Sequence, residues 1–559
     1  MSKGAGGSPE GVGTEGVGFE RVPPESIAPA VVGVDGVSTD RGGRAATVVG
    51  AGILVSRLTG LVRGFLFARF FGLSAEADAY NVAIRIPNIV RSLFGEGALS
   101  ASFVPVYSSL LAKGDERGAR ALAGAVLGLL MAAVSVLTLL GIVVAPLLTD
   151  MFIDAGNIAY RDLTIRLMRI MFPMTALMVL SGWCLGVQNS HRRFFWSYAS
   201  AAMWNIAQIG LLLTWGTNAT SIGELAVLLA WATLAGSVLQ VLAQLPEVLR
   251  LVRPLRITLN RAAIGVRETL GNVVPVVTAL GVVQLSSLVD LTIATQLLPV
   301  GSVTSLSSAN AVILLPVSLF GISVAASSLP EFSRESSAVD YGALLERLRS
   351  GWQRVLFYIV PSAAVCILYG DLIVGLLYRS GRFGAVEQQL VHAVLAAYAV
   401  GLVSYGSVKL LASAHYALND YRTPLKASIA SVMVSALVAF TFAWAMRGSK
   451  YGAAGIALGT ALGSYVNLSV LIRGLRARVG TLYTPNMWQG TRRIVLATAG
   501  AALIALPVRF LSRTQNHWLA GVLTLAAFSA AYLVLAWLMG SGEAARWLRR
   551  PVRTSRGRS

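Results

Sequence analysis

Long apolar runs recur along the whole chain and are separated by short polar or basic stretches. Each run has roughly the 20 residues that a helix needs to cross a bilayer. Inside hydrocarbon an open strand would leave its backbone groups without partners, so helices are expected. The pattern predicts an all-α polytopic membrane protein with about fourteen transmembrane helices. The predicted spans are 45–71, 78–111, 119–148, 161–187, 195–215, 221–246, 266–298, 303–333, 344–368, 387–415, 425–446, 452–474, 492–511 and 517–540.

The composition agrees with this pattern. Of the 559 residues, 55% are hydrophobic and only 13% are charged, whereas soluble proteins have about 25% charged residues. The net charge of +20 does not form one basic face, so no nucleic-acid partner is expected. The two cysteines and four histidines show no ligand spacing, and P-loop, HExxH and GxSxG motifs are absent. A transporter without catalytic residues, cofactor or bound metal is therefore predicted, rather than an enzyme.

Basic residues mark one side of the membrane. Turns such as "KGDERGAR", "NSHRRFF", "LNDYRTPLK" and "RGLRARVG" alternate with turns on the other side that are mostly acidic or neutral. Because cytoplasmic turns are enriched in Lys and Arg, both termini are predicted to be cytoplasmic. Residues 1–43 are interpreted as a disordered tail and residues 542–559 as a basic tail.

The chain also contains an internal repeat. "LVRGFLFARFFG" (61–72) matches "LVDLTIATQLLP" (288–299), and "IRIPNIVRSLFGEGALSASFVP" matches "VILLPVSLFGISVAASSLP" in the same order. "VQNSHRRF" and "ALNDYRTP" follow at a similar separation. This predicts an N-lobe (44–248) and a C-lobe (262–476) of six helices each around a central cavity, with two further helices in 490–541. Such repeats are typical of secondary transporters.

Charged residues interrupt the first two spans. An arginine at mid-bilayer costs at least about 2.5–3.5 kcal/mol, so these side chains are expected to face protein or water. On a continuous helix 2, its six polar residues fall within an arc of about 140°. The residues are Arg57, Arg63 and Arg69 on helix 1, and Asp78, Asn81, Arg85, Asn88, Arg91 and Glu96 on helix 2.

Two interpretations of these charges are open. The carboxylates could pair with arginines and lock helices together, or the surplus of arginines could bind an anionic substrate. We favour the anion-binding cavity because arginine's planar fork fits phosphate oxygens. Pro87, Gly95 and Gly97 fit either a hinge or a static bend in helix 2.

The second lobe carries fewer charges. Asp290 stands where the first lobe has Arg63, and a buried carboxylate needs a paired arginine, a proton or a cation. Lys409 is a further candidate for the cavity wall, although a lysine near a helix end can also reach the interface.

Residues 56–107, "SRLTGLVRGFLFARFFGLSAEADAYNVAIRIPNIVRSLFGEGALSASFVPVY", closely resemble the MurJ (MviN) family. The resemblance continues in "LGVQNSHRRFF", "YRSGRFGAVEQQLVHAVLAAYAVGL" and "HYALNDYRTPLK". It implies fourteen helices in two lobes, as in the multidrug/oligosaccharidyl-lipid/polysaccharide exporter superfamily. It also implies that the chain flips lipid II, the undecaprenyl-diphosphate-linked peptidoglycan precursor, across the bacterial inner membrane.

The resemblance further implies roles for single residues. Arg57, Arg63 and Arg91 correspond to the arginines that hold the diphosphate, and Asp78, Asn88 and Glu96 to residues that shape the cavity and its gate. The last two helices correspond to a groove for the lipid tail.

Two features depart from the family pattern. Ala311 and Leu314 stand on helix 8 where many members have an arginine and an acidic residue. Asp290 and Thr460 correspond to part of a sodium site in some relatives, to which helix 11 adds little beyond Thr441.

The sequence therefore predicts an alternating-access flippase for lipid II. Its driving force would be a coupling cation, sodium or proton, or the membrane potential. The alternatives are an exporter of another polyprenyl-linked glycan or a drug, and a non-transporting scaffold for cell-wall synthesis. Membrane lipids, and in the scaffold case other cell-wall synthesis proteins, are the further expected partners.

Overall fold

The computed structural model describes residues 39–153, 158–322, 341–512 and 516–548. Regular structure in these ranges is helical, apart from an isolated bridge between Ser380 and Phe383. The predicted all-α class is confirmed. Most of the predicted tails, 1–43 and 542–559, lies outside the described residues, although the first helix already begins at Thr39 and a short helix starts at Gly542.

Eight helices cover the first half of the chain. They are α1 (Thr39–Phe71), α2 (Ala75–Phe94), α3 (Glu96–Ala112), α4 (Glu116–Asp150), α5 (Ile158–Ser190), α6 (Phe195–Ala199), α7 (Ala201–Trp215) and α8 (Ile222–Leu251).

Eleven more helices follow in the rest of the described chain. They are α9 (Val266–Leu297), α10 (Ser302–Pro316), α11 (Tyr341–Leu368), α12 (Gly370–Tyr378), α13 (Ala385–Val400), α14 (Leu402–Ala417), α15 (Arg422–Ala445), α16 (Gly452–Val479), α17 (Pro485–Leu511), α18 (His517–Leu538) and α19 (Gly542–Leu548). A π-helical segment, Val317–Ile322, continues α10.

Ten of the described helices are long and apolar enough to cross a membrane. The number is eleven if α13 and α14, which meet at an angle of 41°, form one span. This agrees with a multi-pass membrane protein, and the total of fourteen spans stays a prediction.

The predicted second span is not one helix. The α2 helix ends at Phe94, and α3 begins at Glu96. A side chain at Gly95 would overlap the carbonyl oxygen of Arg91, so the break requires a glycine. The prediction of one continuous helix 2 with its polar residues on a single face was therefore wrong beyond Gly95. By contrast, helical structure continues through Pro87.

The helix-packing pattern of the first half recurs in the second. In the first half α1 packs on α7, α2 on α5, α5 on α8, and α7 on α8. In the second half the corresponding pairs are α9 with α15, α10 with α13, α13 with α16, and α15 with α16. This repetition supports the two-lobed interpretation, while the N-lobe and C-lobe boundaries stay predictions.

The three largest buried apolar clusters follow the same division, and two smaller ones join the halves. Two apolar clusters lie within residues 66–266, one of them around Phe103, Tyr107 and Trp183. Another, built almost entirely from residues 309–544, also contains side chains of α17 and α18. The Tyr369 hydroxyl donates to the Ala502 carbonyl at 2.7 Å, which fastens α17 to the second half.

A buried ion pair braces the turn after α14. The two ring nitrogens of His415 face the Asp420 carboxylate and the Leu471 carbonyl, each at 3.0 Å. Both ring nitrogens therefore lie within hydrogen-bond distance of an oxygen acceptor. Arg478 approaches the same carboxylate at 3.4 Å, and the Thr423 amide donates to it at 3.1 Å.

These contacts outweigh the effect of burial, which alone would raise the pKa of Asp420, and they lower that pKa below its usual value. The brace joins α14 to α15 through residues of the "HYALNDYRTPLK" segment, and it joins both to α16 through Leu471 and Arg478.

We expect Asp420→Asn to lower the free energy of unfolding by about 2 kcal/mol near neutral pH, because it removes the charged acceptor that faces His415, Arg478 and the Thr423 amide. A carboxylate with a lowered pKa stabilises the fold above about pH 4, and this contribution is lost as the pH falls through the lowered pKa. The difference between wild type and variant should therefore shrink in acid. Thermal unfolding in detergent from pH 7 to 3 measures it. Glu116→Gln, at a largely exposed position, is the control; an equal effect of both variants would contradict the brace.

Candidate functional site

A cavity of about 280 Å³ lies between the two halves. Helices α1, α2, α7 and α8 line it from the first half, and α9, α10, α12 and α13 from the second. Four of the predicted site residues of the first half contribute to its wall, and so does Asp290 of the second half. The four are Arg63, Asn81, Arg85 and Asn88.

Arg63 is held over an aromatic ring. Its guanidinium carbon lies 4.8 Å from the centre of the Trp204 ring, a cation–π contact. Among the described residues no carboxylate lies within 4 Å of Arg63. The contact positions the charge without neutralising it, so the guanidinium keeps its donors for a ligand.

Arg85 faces the second half across the cavity. Its Nε donates to the Ser287 hydroxyl at 3.1 Å. Asp290 is one turn further along α9 and accepts from the Thr460 hydroxyl at 3.5 Å. Within the described chain neither arginine of the cavity forms an ion pair with Asp290. Two arginines and one carboxylate therefore leave the cavity wall with a net positive charge.

A hydrogen-bonded network in the cavity wall that contains Arg63 was not predicted from the sequence. The Tyr80 hydroxyl donates to Gln208 at 3.1 Å and contacts the Thr233 hydroxyl at 2.8 Å. Tyr80 and Gln208 also line the cavity. The polar residues in "MWNIAQIG" (203–210), within an otherwise apolar span, were the available signal.

Asp78 closes one end of the interface between the halves. Its carboxylate accepts from the Gly301 and Thr304 amides, both at 2.7 Å, and from the Thr304 hydroxyl at 2.6 Å. It thus caps the N-terminus of α10, where a negative charge is favoured by the helix dipole. Asp78 therefore pairs with backbone amides rather than with an arginine, and it does not line the cavity wall.

Gly301 makes this cap possible. Its φ of +93° is in the left-handed region, and a side chain there would lie 2.8 Å from the Leu73 carbonyl oxygen. Asn81 extends the contact by donating to the Thr304 hydroxyl at 3.1 Å. We call the contact of Asp78 and Asn81 with Gly301 and Thr304 the α2–α10 latch.

Further contacts join the halves at the same end. Arg69 donates to the Ser380 hydroxyl at 3.0 Å, and its carbonyl accepts from the Arg382 amide at 2.9 Å. Gln296 donates to the Met151 carbonyl at 3.0 Å. The cavity is thus covered on the side of the membrane where α1 ends and α2 begins.

The remaining predicted residues lie away from the cavity wall. Arg57 and Lys409 are exposed and Arg91 is half-buried, and none lines the cavity. The side chain of Glu96 lies outside the described part of the structure. Gly97 packs against α9, since a side chain there would lie 2.9 Å from Leu280.

Comparison with known proteins identifies the family. The family model described as "Lipid II flippase MurJ" matches residues 67–529. The chain belongs to the MurJ family. The lipid II flippase MurJ of Burkholderia cenocepacia is 31% identical over 525 residues, covering 89% of this chain and 97% of that protein. The probable lipid II flippase MurJ of Vibrio cholerae is 28% identical and covers 89% and 93%.

Solved structures show the same fold. A structure described as "Lipid II flippase MurJ, inward closed conformation" has a TM-score of 0.73 at 23% identity, covering 90% of this chain and all of that one. An inward-facing multidrug resistance MATE family transporter of the MOP superfamily has a TM-score of 0.60 at 16% identity, covering 78% of this chain and 98% of that one. The two-lobed transporter fold is therefore shared beyond the MurJ family.

This member of the MurJ family has a neutral polar wall on α10. Ala311 lines the cavity where the resemblance implied an arginine, and Leu314 does not line it. Ser307, Ser308 and Asn310 supply polar groups on the same stretch. Thr441 donates to the Leu437 carbonyl within α15 and does not join Asp290 and Thr460.

We expect Asp78→Asn to lower the free energy of unfolding by about 2 kcal/mol, because a carboxamide cannot accept all three hydrogen bonds and carries no charge for the helix terminus. Thermal unfolding in detergent measures the loss.

Glu76→Gln is the matched control, two residues earlier in the same helix and outside the latch. It should change the free energy by no more than about 0.5 kcal/mol. Equal unfolding curves for the two variants would show that the latch does not hold the halves together.

Proposed function

We propose that this chain flips lipid II from the cytoplasmic to the outer leaflet of a bacterial inner membrane by alternating access. Membership of the MurJ family supports the substrate, and the cavity between two similarly packed halves supports the mechanism. The chain is then a transporter whose residues bind and release a headgroup without changing its bonds.

The observation that carries the proposal is the unbalanced charge of the cavity. Arg63 and Arg85 face a space within the membrane-spanning region, and Asp290 is the only carboxylate among the residues lining it. Leaving such charges without an anion or water is costly in a bilayer. A diphosphate provides oxygens for both guanidinium groups, and the Asn88 and Asn310 side chains in the same wall offer amide donors to the sugar or the phosphates.

The basic turns support an orientation with both termini in the cytoplasm. In that orientation the α2–α10 latch lies on the outer side, so the headgroup enters from the cytoplasmic side. Arg57 and Arg91 lie nearer that side on α1 and α2. We assign them to the approach of the diphosphate, before it reaches Arg63 and Arg85.

For the driving force, Asp290 with Thr460 offers two oxygen ligands to a sodium ion, or one carboxylate to a proton. The membrane potential adds about 2.3 kcal/mol for each charge that crosses 100 mV. Transport measured with and without a sodium gradient, and at imposed potentials, separates these sources.

The test uses Arg63→Gln and Arg85→Gln in the full chain, reconstituted in vesicles with labelled lipid II. A hydrogen bond to a charged group contributes about 1.5–3 kcal/mol, so each variant should flip at least about tenfold more slowly. Arg447→Gln is the matched control, since Arg447 also lies over a tryptophan, Trp444, at 5.2 Å but outside the cavity. It should flip at the wild-type rate.

Equal rates for all three variants would mean that the cavity does not bind the diphosphate. A wild-type chain that moves another polyprenyl-linked glycan or a drug, but not lipid II, would favour the sibling exporter. Absence of transport under every gradient, together with failure to rescue a strain depleted of its own lipid II flippase, would favour a scaffold.

A further inference from the structure

A second concavity, separate from the central cavity, lies on the first half. It has a volume of about 530 Å³ and lies between α4, α5 and α8. It shares no lining residue with the central cavity. Three arginines of α5 lie in its wall, with Trp231 of α8 opposite them. The arginines are Arg161, Arg166 and Arg169.

The three arginines are not equivalent. Arg161 is neutralised by Asp150, to which it donates at 2.6 and 3.1 Å, and it also contacts Asp162 at 3.4 Å. Arg166 and Arg169 are exposed, and among the described residues no carboxylate lies within 4 Å of either. The pocket, whose wall also includes Asp162, therefore contains two arginines without an ion-pair partner in the described chain, three residues apart on one face of α5.

Arg169 bonds to a carbonyl of α4 that a proline leaves without its helical donor. Pro146 has no amide hydrogen, so the carbonyl of Ile142, four residues earlier, lacks its helical donor. Arg169 donates to that carbonyl at 3.3 Å. One of its five N–H groups makes this hydrogen bond, which leaves four for other partners.

The surroundings of the pocket are apolar. Leu139, Val143 and Leu147 of α4 are all more than 60% exposed and follow one another at a helical spacing of four residues. In a membrane protein such a stripe faces acyl chains. Trp231 is 55% exposed, and tryptophan is enriched where hydrocarbon meets headgroups. The pocket therefore opens toward lipid rather than toward bulk water.

The depth of the arginines matches the headgroup boundary. The α5 helix has 33 residues and is about 50 Å long, so it extends about 10 Å beyond each side of a hydrocarbon core of about 30 Å if it is centred. Arg166 and Arg169 follow Ile158 by about 12 and 16 Å along the helix. Their long side chains can extend from just inside the hydrocarbon to the phosphate level.

We propose that this pocket binds the phosphate group of an anionic membrane phospholipid, in the leaflet next to the turn between α4 and α5. The guanidinium groups of Arg166 and Arg169 hold the phosphate oxygens, the acyl chains lie along the exposed stripe of α4, and Trp231 forms the α8 side of the pocket. Bound there, the lipid tethers α4, α5 and α8 as one unit of the first half. In the orientation proposed above, this is the outer leaflet.

The test titrates the purified full chain with phosphatidylglycerol and with phosphatidylcholine of the same acyl chains, and counts bound lipids by native mass spectrometry. Arg166→Gln with Arg169→Gln should weaken the tightest phosphatidylglycerol binding at least about tenfold and leave phosphatidylcholine binding unchanged. Arg447→Gln with Lys450→Gln is the matched control, because it also removes two positive charges, from the turn between α15 and α16 at the same end of the bundle. It should bind phosphatidylglycerol as wild type does.

Three outcomes would overturn the proposal. One is equal phosphatidylglycerol binding by wild type and the Arg166/Arg169 double variant, with both folded as judged by thermal unfolding. Another is loss of the site in Arg63→Gln, which would place the lipid in the central cavity. The third is displacement of the lipid by inorganic phosphate at equal concentration, which would indicate a site for a free anion. The lipid site and the flippase assignment can fail separately, since neither set of variants touches the other cavity.

Discussion

A charged group inside a bilayer must find a polar partner, a counter-charge or water, and this constraint organises the middle of the molecule. Asp78 meets it with the amides at the start of α10, Arg85 with the Ser287 hydroxyl, and Arg63 with the face of Trp204. Asp78 is fully satisfied by these contacts. The two arginines are positioned but keep their charge, and this remaining charge is the basis of the proposed anion site.

The two halves share a packing pattern but contribute different chemistry. The first half supplies both cavity arginines and the Trp204 ring that holds Arg63, whereas Arg85 bonds to Ser287 of the second half. The second supplies Asp290 and the neutral polar face of α10, which bears Ala311 where relatives are expected to have an arginine. A repeated fold gives two similar halves that can move about a central site. The proposed diphosphate site needs positive charge from only one of them, which Arg63 and Arg85 of the first half supply.

The regular α-helix of the second span ends near corresponding "LFG" sequences in both halves. In the first half "LFG" (93–95) ends α2, and in the second "LFG" (319–321) lies in the π-helical segment after α10. The α2–α10 latch joins the opposite ends of the same two spans, through one carboxylate that accepts three hydrogen bonds. Because these contacts converge on a single side chain, they would be lost together when the halves separate. This arrangement suits a transporter that must open one side at a time.

The sequence by itself determined the membrane class, the helical architecture and the family, and it singled out Arg63, Asn81, Arg85 and Asn88, which line the cavity. Apolar run length and the cost of intramembrane charge are local properties, which a linear pattern records. Only the tertiary structure decided which charges meet. It separated Arg57 and Arg91 from the cavity and moved Asp78 from the cavity wall to the α10 terminus. It broke helix 2 at Gly95, and it brought Arg166 and Arg169 of α5 beside Pro146 of α4 and Trp231 of α8. These outcomes depend on the rotation and register of packed helices, which residue spacing within a single span does not specify.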